Sequence, residues 1–241
     1  MDLKGIKITW LGHSTFLFDT PEGHRLLVDP FLANNPKCPK EFHDVSCDAI
    51  AITHGHMDHV ADVFSAAERC KGSIVGMFDL TGWLGGKGID SQKLVGMNKG
   101  GSVCLGTPNV ALTMTDAKHS SSWTESDGTI VYLGEPAGYV LTFSNNFKIY
   151  LAGDTCLFGD MALIRELYAP DLAILPIGDH FTMDPRAAAH ACRLLGVEAA
   201  IPCHYGTFPL LTGTPDQFRK HLETLGLNVE VLAPEPGETV G

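Results

Sequence analysis

The sequence predicts an α/β (α+β) fold, and three observations carry that prediction. Strand-type and helix-type stretches alternate along most of the chain, and its two halves each run strands first and helices after. The chain's 241 residues with 44% apolar content can also fill two packed layers in one large domain over residues 1–241. The repeated order suggests a four-layer αβ/βα sandwich, in which two mixed sheets lie face to face under outer helices. Alternation alone also fits an open parallel sheet.

Residues 4–10 (KGIKITW), 15–19 (TFLFD) and 25–29 (RLLVD) read as an N-terminal antiparallel group joined through the turn Pro21-Glu22-Gly23. Residues 48–52 (DAIAI) read as a buried strand and 60–70 (VADVFSAAERC) as a helix, and the alternation continues to Leu94. Strand signals return at 110–115, 129–133, 138–144 and 148–152. The tail then alternates helix and strand through 159–168, 172–176, 184–195, 199–203, 215–225 and 228–232. Residues 34–44 (NNPKCPKEFHD) and 120–128 (SSSWTESDG) are the expected mobile loops, being rich in polar, proline or glycine residues. Trp123 in the second of these either faces substrate or packs on a rim.

The stretch Thr53-His54-Gly55-His56-Met57-Asp58-His59-Val60 holds four potential metal ligands within six residues, between the strand at 48–52 and the helix at 60–70. In extended or turn backbone, residues two apart project to one side, so His54 and His56 can point together. Asp58 and His59, at the helix start, can reach a second position nearby. Neutral imidazoles and carboxylates suit zinc first, with manganese, iron and nickel also accepted, and a catalytic site leaves a position open for water. One loop cannot complete two ions. The remaining ligands should come from other strand ends, where His119 follows 110–115, Asp154 follows 148–152 and His204 follows 199–203. A single histidine after an apolar run is ordinarily a satisfied core residue, so the weight falls on the combination.

At these residues the sequence resembles the metallo-β-lactamase-fold hydrolases, whose first metal motif has the form His-x-His-x-Asp-His. The likeness extends through Trp10-Leu11-Gly12-His13-Ser14-Thr15-Phe16, Val28-Asp29-Pro30-Phe31, Ala117-Lys118-His119-Ser120-Ser121-Ser122, Ala152-Gly153-Asp154-Thr155, Leu175-Pro176-Ile177-Gly178-Asp179 and His204-Tyr205-Gly206-Thr207-Phe208-Pro209. It looks most like a branch of small metal-dependent hydrolases related to L-ascorbate-6-phosphate lactonase and, more distantly, to N-acylphosphatidylethanolamine phospholipase D. The resemblance implies the αβ/βα sandwich and two divalent ions. One would be held by His54, His56 and His119, the other by Asp58, His59 and His204, with Asp154 bridging them. It also places His13 near the site, against substrate or the outer shell of the metal.

The chemistry this implies is hydrolysis of a small ester, lactone or phosphodiester by hydroxide held on the binuclear centre, since a metal lowers the pKa of bound water to about 7. Asp58 would orient the nucleophile or hold its proton, and His13 and His180 are the candidates for protonating the leaving group. His180, after the apolar run 172–177, and His13 are also expected to contact substrate. Asp179 is expected either to join them or to orient a ligand histidine. Lys118 either binds an anionic group or points away along its strand. His24, His43, His190 and His221 lie in helical or turn contexts and read as solvated or structural.

Two other classes compete. The same fold hosts di-iron redox proteins, but these typically carry glutamate at the position of His56 and a flavin domain for which this chain has neither room nor a phosphate-binding glycine motif. A non-catalytic metal- or ligand-binding module is the other alternative. The formal charge of −11, from 28 acidic against 17 basic residues, disfavours nucleic acid as a partner. No segment approaches the ~20 apolar residues of a membrane span and none reads as a secretory leader, so a cytoplasmic protein acting on a small molecule is expected. Homo-oligomerisation is left open. Seven cysteines without close paired spacing argue against a disulfide framework or thiolate zinc site, and are expected reduced and mostly buried. Cys203, if in a strand, points away from His204 and packs; Cys156 lies two residues after Asp154.

Overall fold

The computed structural model describes residues 1–241. Its first sheet grows from the expected antiparallel group, β1 (Lys7–Trp10), β2 (Phe16–Asp19) and β3 (Arg25–Val28). The strands β4 (Ala49–Ala51), β5 (Ile74–Met77) and β6 (Leu94–Met97) extend it in parallel. Parallel neighbours need crossovers, which are supplied by α1 (Met57–Val60) with α2 (Val63–Arg69) and by α3 (Phe78–Gly86).

The second sheet is built from β7 (Ser102–Leu105), β8 (Val110–Asp116), β11 (Ala137–Phe143) and β12 (Lys148–Leu151), paired antiparallel, then β13 (Leu172–Pro176), β14 (Ala199–Cys203) and β15 (Glu230–Val231) in parallel. The strands β9 (Ser122–Thr124) and β10 (Ile130–Tyr132) form a separate hairpin. Helices α4 (Met161–Tyr168), α5 (Pro185–Leu195) and α6 (Pro215–Thr224) follow in the C-terminal half. The final strand β16 (Thr239–Val240) returns to pair with β1, giving orders β16-β1-β2-β3-β4-β5-β6 and β15-β14-β13-β12-β11-β8-β7.

Two-residue alternation explains why the sheets stack. Leu172, Ile174, Tyr139, Leu141 and Ile149 join a core that includes Ile8, Phe18 and Leu26 of the first sheet. Their neighbours Ala173, Leu175, Val140 and Tyr150 pack with the helical residues Ile164, Ala188, Leu195 and Phe218 instead. Phe18 and Phe143 meet across the sheets at 6.3 Å between ring centroids, and the buried Tyr139 hydroxyl donates to the Ile52 carbonyl at 2.9 Å. The arrangement is two mixed sheets with outer helices, as the sequence predicts, and an open parallel sheet is ruled out.

Three local expectations are corrected. The helix expected over 60–70 is broken after Val60, because the Asp62 carboxylate leaves the helix to accept from the backbone N–H groups of Leu32 and Asn34 at 2.6 and 3.2 Å. The loop at 120–128 contains β9, and Trp123 packs at 5.6 Å on Trp83, which settles its two readings in favour of the rim. The loop at 34–44 carries a short 3₁₀ turn at Lys40–Phe42. No helix is long and apolar enough to cross a membrane.

Candidate metal centre

Most of the expected ligands come from the C-terminal ends of strands. His54 follows β4, Asp154 follows β12 and His204 follows β14, while His119 follows β8 on the same edge. Two loop features bring them into register. Gly55 lies beneath Leu133, where any Cβ would collide with the leucine side chain. The non-glycine residues His13, Asp29 and His204 all adopt left-handed backbone (φ 56°, 47° and 54°), a strained conformation that surrounding structure must hold.

The ligand atoms gather into three overlapping groups, each with its members within 4.8 Å of one another: His54, His56 and His119; His13, Asp58, His59 and His204; and His54, His59 and Asp154. Asp154 lies at the junction. Its Oδ2 stands 3.0 Å from His204 Nε2, 3.3 Å from His59 Nε2, 3.8 Å from His119 Nε2 and 4.0 Å from His54 Nε2.

Outer partners fix which nitrogen faces inward. Asp29 is acceptor only: Oδ1 takes the Thr53 N–H at 2.7 Å, and Oδ2 takes the Thr53 hydroxyl at 2.7 Å and His59 Nδ1–H at 2.8 Å. With its proton on Asp29, Thr53 Oγ1 accepts from His54 Nδ1–H at 3.0 Å. Nε2 of both His54 and His59 is thereby directed into the site. His13 is buried, and its Nε2–H donates to Asp58 Oδ2 at 3.0 Å while Nδ1 accepts from the Thr207 hydroxyl at 3.0 Å. The Ser120 hydroxyl pairs with His56 Nε2 at 3.2 Å, which turns His56 Nδ1 inward.

This donor set fits a divalent cation. His56 Nδ1 lies 3.0 Å from His54 Nε2 and 3.3 Å from His119 Nε2, so three ring nitrogens converge. His59 Nε2, Asp154 Oδ1 and His204 Nδ1 are buried without a hydrogen-bond partner, a costly state for polar atoms unless a ligand occupies the site. Burial, reinforced by the neighbouring histidines, holds the pKa of His54 well below its ordinary value and lowers those of His56 and His119, favouring the neutral form that binds metal. Burial also takes His13 down to about 4. Burial alone would raise Asp154, but His204 and His59 overcome it and hold the carboxyl well below the usual range. His59 shows the reverse balance: burial opposes its charge, yet Asp154 and Asp29 raise it well above the ordinary histidine value.

The other expected contacts divide. His13 reaches Asp58 and its ring lies 4.1 Å from that of His204. Asp179 and His180 are exposed and outside all three groups; the Asp179 carboxylate accepts from the His180 backbone N–H at 2.7 Å, and the His180 ring lies edge-on against Phe181. Their loop nevertheless abuts the centre, since the Met183 N–H donates to the Thr155 carbonyl at 3.1 Å. Lys118 Nζ is paired with Asp116 at 2.9 Å. Cys203 is buried in the core between the sheets, and Cys156 is exposed. His24, His43, His190 and His221 belong to none of the groups.

Sequence reasoning assigned no role to Asp29, Thr53, Thr207 or Ser120. Asp29 carried a readable signal: like the ligands, it is an acid that directly follows an apolar strand.

Comparison with known proteins places the chain among recognisable relatives. Residues 24–205 match the Beta-lactamase superfamily domain. A UPF0173 metal-dependent hydrolase of Rubrobacter xylanophilus is 48% identical over 240 residues, covering 99% of this chain and 98% of the relative. The solved structure of a metallo hydrolase from the archaeon Ignicoccus hospitalis superposes with a TM-score of 0.83 at 35% identity, covering 98% of this chain and 97% of that one. A diiron β-hydroxylase from Streptomyces venezuelae shares the fold, with a TM-score of 0.71 at 15% identity, covering 98% of this chain and 54% of its own.

Proposed function

Because this chain belongs to the metal-dependent hydrolases of the beta-lactamase superfamily, we propose that it cleaves a small ester, lactone or phosphodiester at a binuclear centre. His54, His56 and His119 would hold one ion and Asp58, His59 and His204 the other, with Asp154 available to both. The observation that carries this reading is the position of Asp154 Oδ2, within 3.0 to 4.0 Å of ring nitrogens from both sets. Divalent ions bound there supply Lewis acidity and lower the pKa of water.

The side chains do the rest. Asp58 is partly exposed at the mouth of the centre and is the carboxylate able to orient the attacking water and take up its proton. His13, enclosed and engaged at both ring nitrogens, holds Asp58 in that orientation, relaying the anchorage of Thr207. His180, exposed on the adjoining loop, is the group free to approach a leaving group and give it a proton. Zinc is the first choice of metal, because the set is rich in imidazole. The histidine at position 56 favours hydrolysis over di-iron redox chemistry, and the relative covering 99% of the chain supports treating residues 1–241 as one hydrolase unit.

Elemental analysis of the purified protein tests the binuclear centre. Close to two ions per chain are expected for the wild type and fewer for His54→Ala, with Asp154→Ala losing or loosening both. Two ions retained by Asp154→Ala at unchanged affinity would refute its shared role. Metal-loaded protein should then turn over members of a panel of esters, lactones and bis-p-nitrophenyl phosphate, and chelation should abolish this. Predominant iron with oxygen-dependent chemistry would favour the redox class instead.

A further inference from the structure

The mouth of the metal centre lies at the ligands that retain some exposure, chiefly Asp58 and His119, at 27% and 14% of their side-chain surface. The segments around it carry a concentration of apolar surface. Met57, between His56 and Asp58, is 63% exposed. Phe208, in the loop after His204, sets its ring 5.5 Å from that of His13, and Leu210 beside it is 52% exposed. Phe181, on the loop tied to Thr155, is also 52% exposed. Ile130 and Tyr132 project from the hairpin that follows His119 and is anchored to the motif by the Gly55 N–H donating to Ser121 Oγ at 3.1 Å. Five of the nine large apolar side chains that stand exposed on this protein are therefore on segments that carry or adjoin ligands. Scattered apolar side chains are ordinary on a surface; their concentration on the segments that supply or adjoin the ligands is what points to a binding rim.

Charge points the same way. In the loops that supply the ligands the only lysine or arginine is Lys118, whose Nζ is committed to Asp116 at 2.9 Å and lies 5.7 Å over the Phe158 ring. Asp58 lies in the first turn of α1 beside the ligands, and the loop after β13 carries Asp179 and Asp184. An anionic substrate would find no free cationic side chain on the ligand loops themselves and would meet Asp58 beside the ligands instead. We propose that the centre takes uncharged esters or lactones bearing an apolar alkyl or aryl group, which the rim of Met57, Phe181, Phe208 and Leu210 covers, and that phosphodiesters are poor substrates. This rests on the hydrolase reading above and narrows it.

The test compares p-nitrophenyl acetate, butyrate, hexanoate and octanoate with bis-p-nitrophenyl phosphate on metal-loaded protein. Burial of each added methylene is expected to raise kcat/KM about two- to fourfold until the rim is filled. Straight-chain alcohols should inhibit with the same chain-length dependence. Phe181→Ser and Leu210→Ser replace exposed residues, and circular dichroism would verify that each variant folds; each should flatten the series. A flat series in the wild type, or turnover of the phosphodiester above that of every ester, overturns the proposal while leaving a hydrolase. A slope unchanged in both variants also overturns it, because the rim would then not be what covers the chain. Absence of metal-dependent turnover on all of these substrates would instead overturn the hydrolytic reading on which the proposal rests.

Discussion

Asp29 organises the centre from behind its ligands, because one buried carboxylate accepts from Thr53 twice and from His59 once and so sets two ligand tautomers. Asp29→Asn keeps the shape but puts an amide donor where an acceptor is needed. His59 is then pushed to carry its proton on Nε2, facing the metal. The expected result is a roughly 10- to 100-fold loss of metal affinity in a chelator competition, with the fold retained; unchanged affinity would show that the carboxylate has no hold on the ligands. His13 offers a second measurement. Its folded pKa of about 4 lies below the unfolded value near 6.5, so the folded state binds fewer protons. Its contribution is fully present above about pH 6.5 and is lost as pH falls through 4, worth at most about 3 kcal/mol. His54, His56 and His119 act in the same direction, whereas His59, with its raised pKa, stabilises at low pH and loses that effect as pH rises. Metal-free protein should therefore lose stability between pH 7 and 4.5 in urea unfolding. His13→Gln should show a shallower dependence, and an equal slope would mean that His13 is not buried neutral.

At the scale of elements, the ends of β13 and β14 must approach closely for His204 to reach Asp154. Gly178 permits this, since any Cβ there would collide with the His204 carbonyl oxygen. Gly178→Ala should cost roughly 1–3 kcal/mol by overpacking and release metal from the His204 side before the His54 side; equal retention of both ions would deny the coupling. This contact was not legible in the sequence, because it depends on which strand ends become neighbours, and for the same reason Asp29 was legible only as an acid after an apolar strand and not in its partners. What was legible had a local cause. His54, His56, Asp58 and His59 declare themselves by crowding, while His119, Asp154 and His204 do so by following apolar runs. The break after Val60 was hidden because Asp62 leaves its helix for distant N–H groups of Leu32 and Asn34. The strand expected at 129–133 was found as β10, but its partner β9 was hidden because it has three residues, two of them polar, and is steadied by Trp83 from another element.

For the whole molecule, periodicity gave the strands and helices but left sandwich and open sheet as alternatives, and the inter-sheet core of Phe18, Tyr139 and Phe143 decides between them. The two-residue β16 carries too few residues for any periodic signal and is held only by its pairing with β1. The sandwich also makes the metal centre a late feature of folding, since its ligands run from His54 in the first half to His204 in the second. Metal should therefore bind the folded chain strongly and the unfolded chain weakly, and by mass action each ion at 100 times its Kd adds about 2.7 kcal/mol. Two ions on a chain of this size should raise Tm by on the order of 10–20 °C. Chelation should remove that increment, and added metal should restore it with a dependence on metal concentration. His204→Ala should lose part of the increment and Asp154→Ala nearly all of it, because in the proposed centre only Asp154 belongs to both ions. A Tm indifferent to chelator would mean that the converging nitrogens and the unpaired Asp154 and His59 atoms are stabilised without metal, and the binuclear reading would fall with it.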